Sequence, residues 1–140
     1  MAEPLKDQYL TETSLDEFAD TLVECHPVFD KERFLELVFD SSWKEKELMK
    51  RMRHVTECLH KTLPESYNNA LDILIEAAPD VKGMEAICLP DYVELYGQDN
   101  FELSLPALEH FTKYSTAEFA VRPFIAREPE RVMTFMNSLD

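Results

Sequence analysis

Residues 43–63, WKEKELMKRMRHVTECLHKTL, set Leu48, Met52, Val55 and Leu59 three or four positions apart. At 100° per residue these four share one side of a helix, and Lys46, Lys50 and Arg53 fall on the opposite side. The segment therefore predicts one long amphipathic helix, Trp43 to Leu63, which buries an apolar stripe and turns a basic ridge outward; Pro64 closes it.

The same period governs the rest of the chain. Upstream, Ser14 and Glu17 read as a capping box opening a helix with Leu15, Phe18, Ala19, Leu22 and Val23 inward, and Pro27 ends it after Cys25. Asp30 caps a short helix that buries Phe34, Leu35 and Val38 and stops at the Asp40-Ser41-Ser42 cluster. Downstream, a helix over 66–78 carries Tyr67, Ala70, Leu71, Leu74 and Ile75, and Pro79 stops it. Between Val81 and Gly97 the pattern is less regular, with a short helix starting at Pro90-Asp91. Ser104 with Pro106 opens a helix to Phe111, Ser115 with Glu118 forms a second capping box for a helix to about Ala126, and Pro129 sits at a first-turn position for a last helix, Arg131 to Leu139.

No segment shows strand alternation, so the fold class is all-α: antiparallel helix pairs over residues 1–140 as one domain. Similar helix lengths without an exact repeat leave an α-solenoid and a closed bundle both open at this level. The last helix has a stripe of Val132, Met133, Phe135 and Met136, which either docks backwards, supports weak self-association or continues into a further repeat.

Composition narrows the function. Glycines number 2, too few for Gly-rich phosphate loops, and the 3 cysteines form no CxxC pair, so they read as reduced thiols. No apolar run reaches the ~20 residues that span a bilayer, and no basic-then-apolar leader begins the chain; a cytoplasmic protein is expected. A formal net charge of −14 opposes indiscriminate binding of polyanions. The charge is uneven, however. Residues 1–40 hold eleven acids and three bases, whereas 44–61 hold six bases (Lys44, Lys46, Lys50, Arg51, Arg53 and Lys61) and three acids; a weaker basic zone follows at Lys113, Arg122, Arg127 and Arg131.

Several residue patterns carry chemistry. Lys46, Lys50 and Arg53, flanked by Arg51 and His54, have the character of a phosphate-contacting ridge, although a charged outer face with Glu57 on it is commonly only solvated. Trp43, Tyr92, Tyr96 and Tyr114 offer π faces to an unstacked or cationic base, against a core role that suits Tyr92 and Tyr96 better. His54 and Cys58 stand four apart without a third ligand at suitable spacing, so no metal is expected. No nucleophile elbow or HExxH is present, and no cofactor is implied.

At Arg51-Met52-Arg53-His54, at Pro90-Asp91-Tyr92-Val93-Glu94-Leu95-Tyr96-Gly97, and in the run from Leu103-Ser104-Leu105-Pro106-Ala107-Leu108-Glu109 to Glu118-Phe119-Ala120-Val121-Arg122-Pro123-Phe124, the sequence resembles the AlkC-type DNA alkylation repair glycosylases. The likeness covers nearly the whole chain. It implies HEAT-like helical repeats with a concave, basic surface for double-stranded DNA containing alkylated bases, and hydrolysis of the N-glycosidic bond of cationic bases such as 3-methyladenine or 3-methylcytosine. Glu118 matches an acidic residue of the family's lesion site. Lys46, Lys50, Arg51, Arg53, Arg122 and Arg127 become the candidate DNA contacts. Excision of an already cationic base needs no leaving-group protonation, so a carboxylate can serve by stabilising the oxocarbenium sugar and positioning water; Glu118 equally fits the capping box with Ser115, and Arg122 could be its intrahelical ion-pair partner. In that family a further Arg-rich, Glu-containing segment follows the position of Asp140. The chain is therefore expected to be the N-terminal part of such an enzyme, lacking C-terminal repeats, or a short relative, and the 140 residues alone are expected not to excise. The alternative is a non-catalytic helical-repeat module that binds DNA or protein through the same face.

Overall fold

The computed structural model describes residues 5–114 and 126–137, and every regular element among them is helical. In chain order these are α1 (Leu5–Gln8), α2 (Glu12–Cys25), α3 (Lys31–Val38), α4 (Leu48–Thr62), α5 (Tyr67–Ala77), α6 (Cys88–Tyr96), α7 (Phe101–Phe111) and α8 (Pro129–Asn137), with 3₁₀ turns at Trp43–Glu45, Ala78–Asp80 and Gly83–Ile87. The expected all-α class is what the chain adopts.

Packing bears on the choice between bundle and stack. Helices α2, α5 and α7 lie side by side in one layer, and α3, α4 and α6 form the other. Along the first layer Tyr67 bonds Ser104 and the Ile75 carbonyl meets His110, so α5 and α7 run parallel. Along the second, Arg53 meets Asp91 and His60 meets Tyr92 and Tyr96, so α4 and α6 also run parallel. Helix α6 is thus laid along α4, and α7 along α5, like upon like, an order that fits a helical-repeat stack. Glu76 near the end of α5 and Asp80 in the 3₁₀ turn after it lie close enough to help raise the Cys25 thiol at the end of α2, behind the larger effect of burial, which extends the first layer.

Local chemistry sets the boundaries, and in three places it departs from the sequence expectation. The first long helix is capped by Thr11, not Ser14. The Thr11 hydroxyl accepts the Ser14 N–H at 3.1 Å and the Ser14 hydroxyl accepts the Thr11 N–H at 2.9 Å, so Ser14, the third helical residue, takes the role that a glutamate usually fills, and Glu17 is left on the exposed face.

The 43–63 helix is interrupted. Trp43 to Glu45 make a 3₁₀ turn, Lys46 and Glu47 are extended, and α4 starts at Leu48. The cause is Arg51: its Nε donates to the Trp43 carbonyl at 3.0 Å and its Nη2 to the Lys44 carbonyl at 3.4 Å, occupying acceptors that a continuous helix would have offered to its own N–H groups. Arg51 is 4% exposed, with its guanidinium 4.8 Å from the centre of the Trp43 ring.

Helix α7 begins at Phe101 under an Asn100 cap, not at Ser104, and Pro106 sits inside it. Pro106 leaves the Glu102 carbonyl without its helical donor, and since both residues are exposed, solvent can reach that carbonyl. Ser104 is buried and donates to the Gly97 carbonyl at 2.7 Å. Helix α8 docks backwards: Val132 is 2% exposed in the common core, Phe135 packs against that core, and Arg131 lies 5.0 Å over the Phe101 ring. No helix among the described residues is long and apolar enough to cross a membrane.

Candidate nucleic-acid interface

The exposed side of α4 carries Lys50, Arg53, Glu57, His60 and Lys61, at intervals that keep them on one face. Its inward side is wider than the apolar stripe implied, because Arg51, Thr56 and Cys58 are buried with Met52, Val55 and Leu59. Thr56 pays no penalty there, since its hydroxyl donates to the Met52 carbonyl at 3.2 Å.

Arg53 is the centre of the face. Its Nε donates to Asp91 Oδ2 at 3.1 Å and its Nη2 to Asp91 Oδ1 at 2.9 Å, a two-pronged clasp, and Nη2 also reaches Glu94 Oε2 at 3.3 Å. Asp91 is 4% exposed, in the first turns of α6, whereas the Arg53 side chain is 40% exposed. Burial pushes the Glu94 carboxyl above its ordinary value; Asp91 beside it adds to the rise and Arg53 opposes it. One cation therefore bridges two carboxylates.

Beyond this clasp the α4–α6 seam turns aromatic. His60 stacks on Tyr96 with centroids 3.8 Å apart and planes 11° from parallel, Tyr96 leans on Tyr92, and Tyr92 stacks on Tyr67. Tyr92 is buried, and burial drives its hydroxyl well above the ordinary tyrosine range. Tyr96 is half-buried and Tyr114 is 41% exposed beside His110. Trp43 is a core residue, holding Phe39 edge-on and His54 tilted against its ring.

The other expected contacts lie apart. Lys46 is in the extended link before α4, where its Nζ bonds the Ser42 hydroxyl. That hydroxyl and the Ser42 N–H both donate to Asp40, which they hold below its ordinary carboxylate range, and His54 Nε2 is 3.5 Å from the same carboxyl. His54 Nε2 is also 3.0 Å from the Leu37 carbonyl and 3.1 Å from the Val38 carbonyl, which directs the ring to the end of α3. Arg127 reaches the far end of α6, where its Nη1 donates to the Gln98 carbonyl at 2.9 Å and to Asp99 at 3.1 Å. Arg53 thus meets the middle of α6, and Arg127 the link just beyond its C-terminal end. Glu118 and Arg122 lie outside the described residues, as does the Ser115 cap.

Sequence reasoning missed Asp91 and Glu94. Their spacing of three on a helix after Pro90 was visible, but their partner is 38 residues away, a distance at which a single sequence carries no pairing signal. It also missed Glu85, 3% exposed, whose carboxylate accepts the Ser14 hydroxyl at 2.5 Å and joins the start of α2 to the turn before α6.

No family model matches the chain. Over 108 residues, 77% of this chain, it is 49% identical to the uncharacterized protein YhaZ of Bacillus subtilis (strain 168), of which that stretch is 30%. Among solved structures it superposes on the alkylpurine DNA glycosylase AlkC of Pseudomonas fluorescens, bound to DNA containing an abasic site analog, with a TM-score of 0.87 and 34% identity over 97% of this chain and 38% of that one. The chain spans about a third of the length of these relatives.

Proposed function

We propose that this chain, an AlkC-like relative by fold and sequence, acts in DNA alkylation repair, engaging double-stranded DNA that contains alkylated bases for hydrolysis of the N-glycosidic bond of cationic ones such as 3-methyladenine or 3-methylcytosine. The observation that carries this reading is the superposition of nearly the whole chain on a glycosylase bound to abasic DNA, at 34% identity. The exposed side of α4, with Lys50 and Arg53, and Arg127 beyond the C-terminal end of α6 supply the phosphate contacts; Lys46 and Arg122 extend them. Arg51, buried over Trp43, braces the start of α4 and acts on DNA only through the position of Arg53 two residues on.

Glu118 is the carboxylate proposed to face the sugar. It carries no proton to the leaving base, which is already a cation; its charge stabilises the oxocarbenium ion as the glycosidic bond breaks, and it orients the attacking water.

A second reading, a non-catalytic helical module binding through the same face, is favoured by the carboxylates that already occupy part of Arg53. Incubating methylated duplex with the protein and assaying freed bases and abasic sites separates the two. Release of methylated bases supports the glycosylase, lesion-dependent binding without release supports the module, and neither binding nor release contradicts both.

A further inference from the structure

We propose that Asp91 is a positioning residue that clasps Arg53 so that its remaining edge meets a DNA backbone phosphate, and that Glu94 competes with that phosphate for the same guanidinium. The inference rests on the DNA-binding reading above and adds to it how the contact is built.

A guanidinium has five N–H donors in a rigid fork. In Arg53 the Nε donor and both Nη2 donors face Asp91 and Glu94, whereas Nη1 makes no hydrogen bond to any described residue, on a side chain that is 40% exposed. The two carboxylates are not equivalent. Asp91 is almost fully buried and grips Arg53 through two parallel bonds, so it fixes the plane and direction of the fork. Glu94 is 25% exposed, makes one longer contact of 3.3 Å, and sits where burial and Asp91 disfavour its charge. A phosphate arriving at Nη1 would find Arg53 already ordered, with its side-chain entropy lost on folding rather than on binding. The same phosphate would be repelled by Glu94 and would displace it more readily than Asp91.

The clasp makes a prediction opposite in sign to net charge. Removing any acid from a chain of formal charge −14 should by general electrostatics strengthen DNA binding. If Asp91 positions Arg53, Asp91→Asn should instead weaken it.

The test titrates the full chain, parent and variants, against a fluorescent duplex carrying an abasic-site analogue across a salt series, with helicity checked for each variant. Arg53→Gln should weaken binding and reduce the slope of log K against log salt by about 0.9, the loss of one phosphate contact. Asp91→Asn should lose affinity by about threefold to tenfold and flatten the slope by a similar amount, and Glu94→Gln should gain about threefold. The Glu94→Gln gain should largely vanish when Arg53→Gln is also present, a criterion that holds even if Asp91→Asn fails to fold. Asp91→Asn binding as tightly as the parent or more tightly, or a Glu94→Gln gain that persists without Arg53, would overturn the inference while leaving DNA binding intact. A parent protein that binds no DNA would overturn the proposed function as well.

Discussion

The Tyr67 and Ser104 hydroxyls lie 2.8 Å apart, tying α5 to α7, directly over Gly97, whose carbonyl accepts the Ser104 hydroxyl at 2.7 Å. A Cβ at residue 97 would overlap the Tyr67 hydroxyl and stand 2.5 Å from Ser104 Oγ. Gly97→Ala should therefore cost about 1–3 kcal/mol through overpacking, read as a lower midpoint in urea. Tyr67→Phe alone should cost about 1 kcal/mol, for one lost hydrogen bond. The double variant should cost less than the sum of the two single costs, because the overlapping hydroxyl has gone; strict additivity would place the strain elsewhere.

The two possible caps of α2 give opposite expectations. Thr11→Ala should destabilise by about 1 kcal/mol and Ser14→Ala by more, about 1–3 kcal/mol, since the latter also leaves the buried Glu85 carboxylate without its hydroxyl donor. Glu17→Ala should be nearly silent in the same chemical denaturation. A large effect at Glu17 would restore it as the capping partner.

Burial pushes the Cys58 thiol up to about 11 and the fully buried Cys88 thiol higher still, while Cys25, raised less, is only partly buried. Thiolate is the reactive form. Iodoacetamide at pH 8 should therefore label Cys25 first, with Cys58 and Cys88 modified only on unfolding, as mass spectrometry of timed samples would show. Fast labelling at Cys58 would contradict the packing of α4.

Glu94 supplies a pH dependence with a definite sign. Its carboxyl titrates above the ordinary range in the folded protein, chiefly through burial, so the native state holds its proton longer than the unfolded chain does. The stability so conferred is fully present below the unfolded value and is lost as pH rises through the folded one. Glu94→Gln should flatten that decline in a series of urea midpoints above pH 4; a slope identical to the parent's would remove Glu94 as its source.

For Glu118 the cap and the sugar-facing role part under a substitution that keeps the shape. In a form of the protein that excises methylated bases, Glu118→Gln keeps a hydrogen-bonding side chain of the length a capping box with Ser115 requires, so on the cap reading stability should change by less than ~1 kcal/mol. Loss of the charge should slow excision by roughly tenfold to a thousandfold with binding little altered. Excision at the parent rate would leave Glu118 a helix cap only.

The helices were legible because their signals are local. Periods of 3.6, prolines at 27, 64 and 79 and the Asp30 cap each act within one or two turns. What escaped depended on distant partners. The break before Leu48 needs Arg51 to reach back to the Trp43 carbonyl, the burial of Ser104 needs Tyr67 and Gly97, and the direction of the basic ridge needs Asp91. Periodicity marked Arg53 as outward-facing but could not show that two acids of α6 already hold it, nor that Lys46 leaves the helix for Ser42. The stacking of helix pairs could not be read from periodicity, since it rests on which helices run parallel in each layer; only the resemblance to the AlkC-type family implied it.

The most direct test of the central claim compares, by fluorescence anisotropy at about 0.1 M salt, binding of the chain to a duplex with one abasic-site analogue and to the same duplex intact. If the chain serves in DNA alkylation repair, it should bind the abasic duplex more tightly, with log K falling linearly as log salt rises. No binding to either duplex, or equal and salt-independent binding to both, would contradict that role.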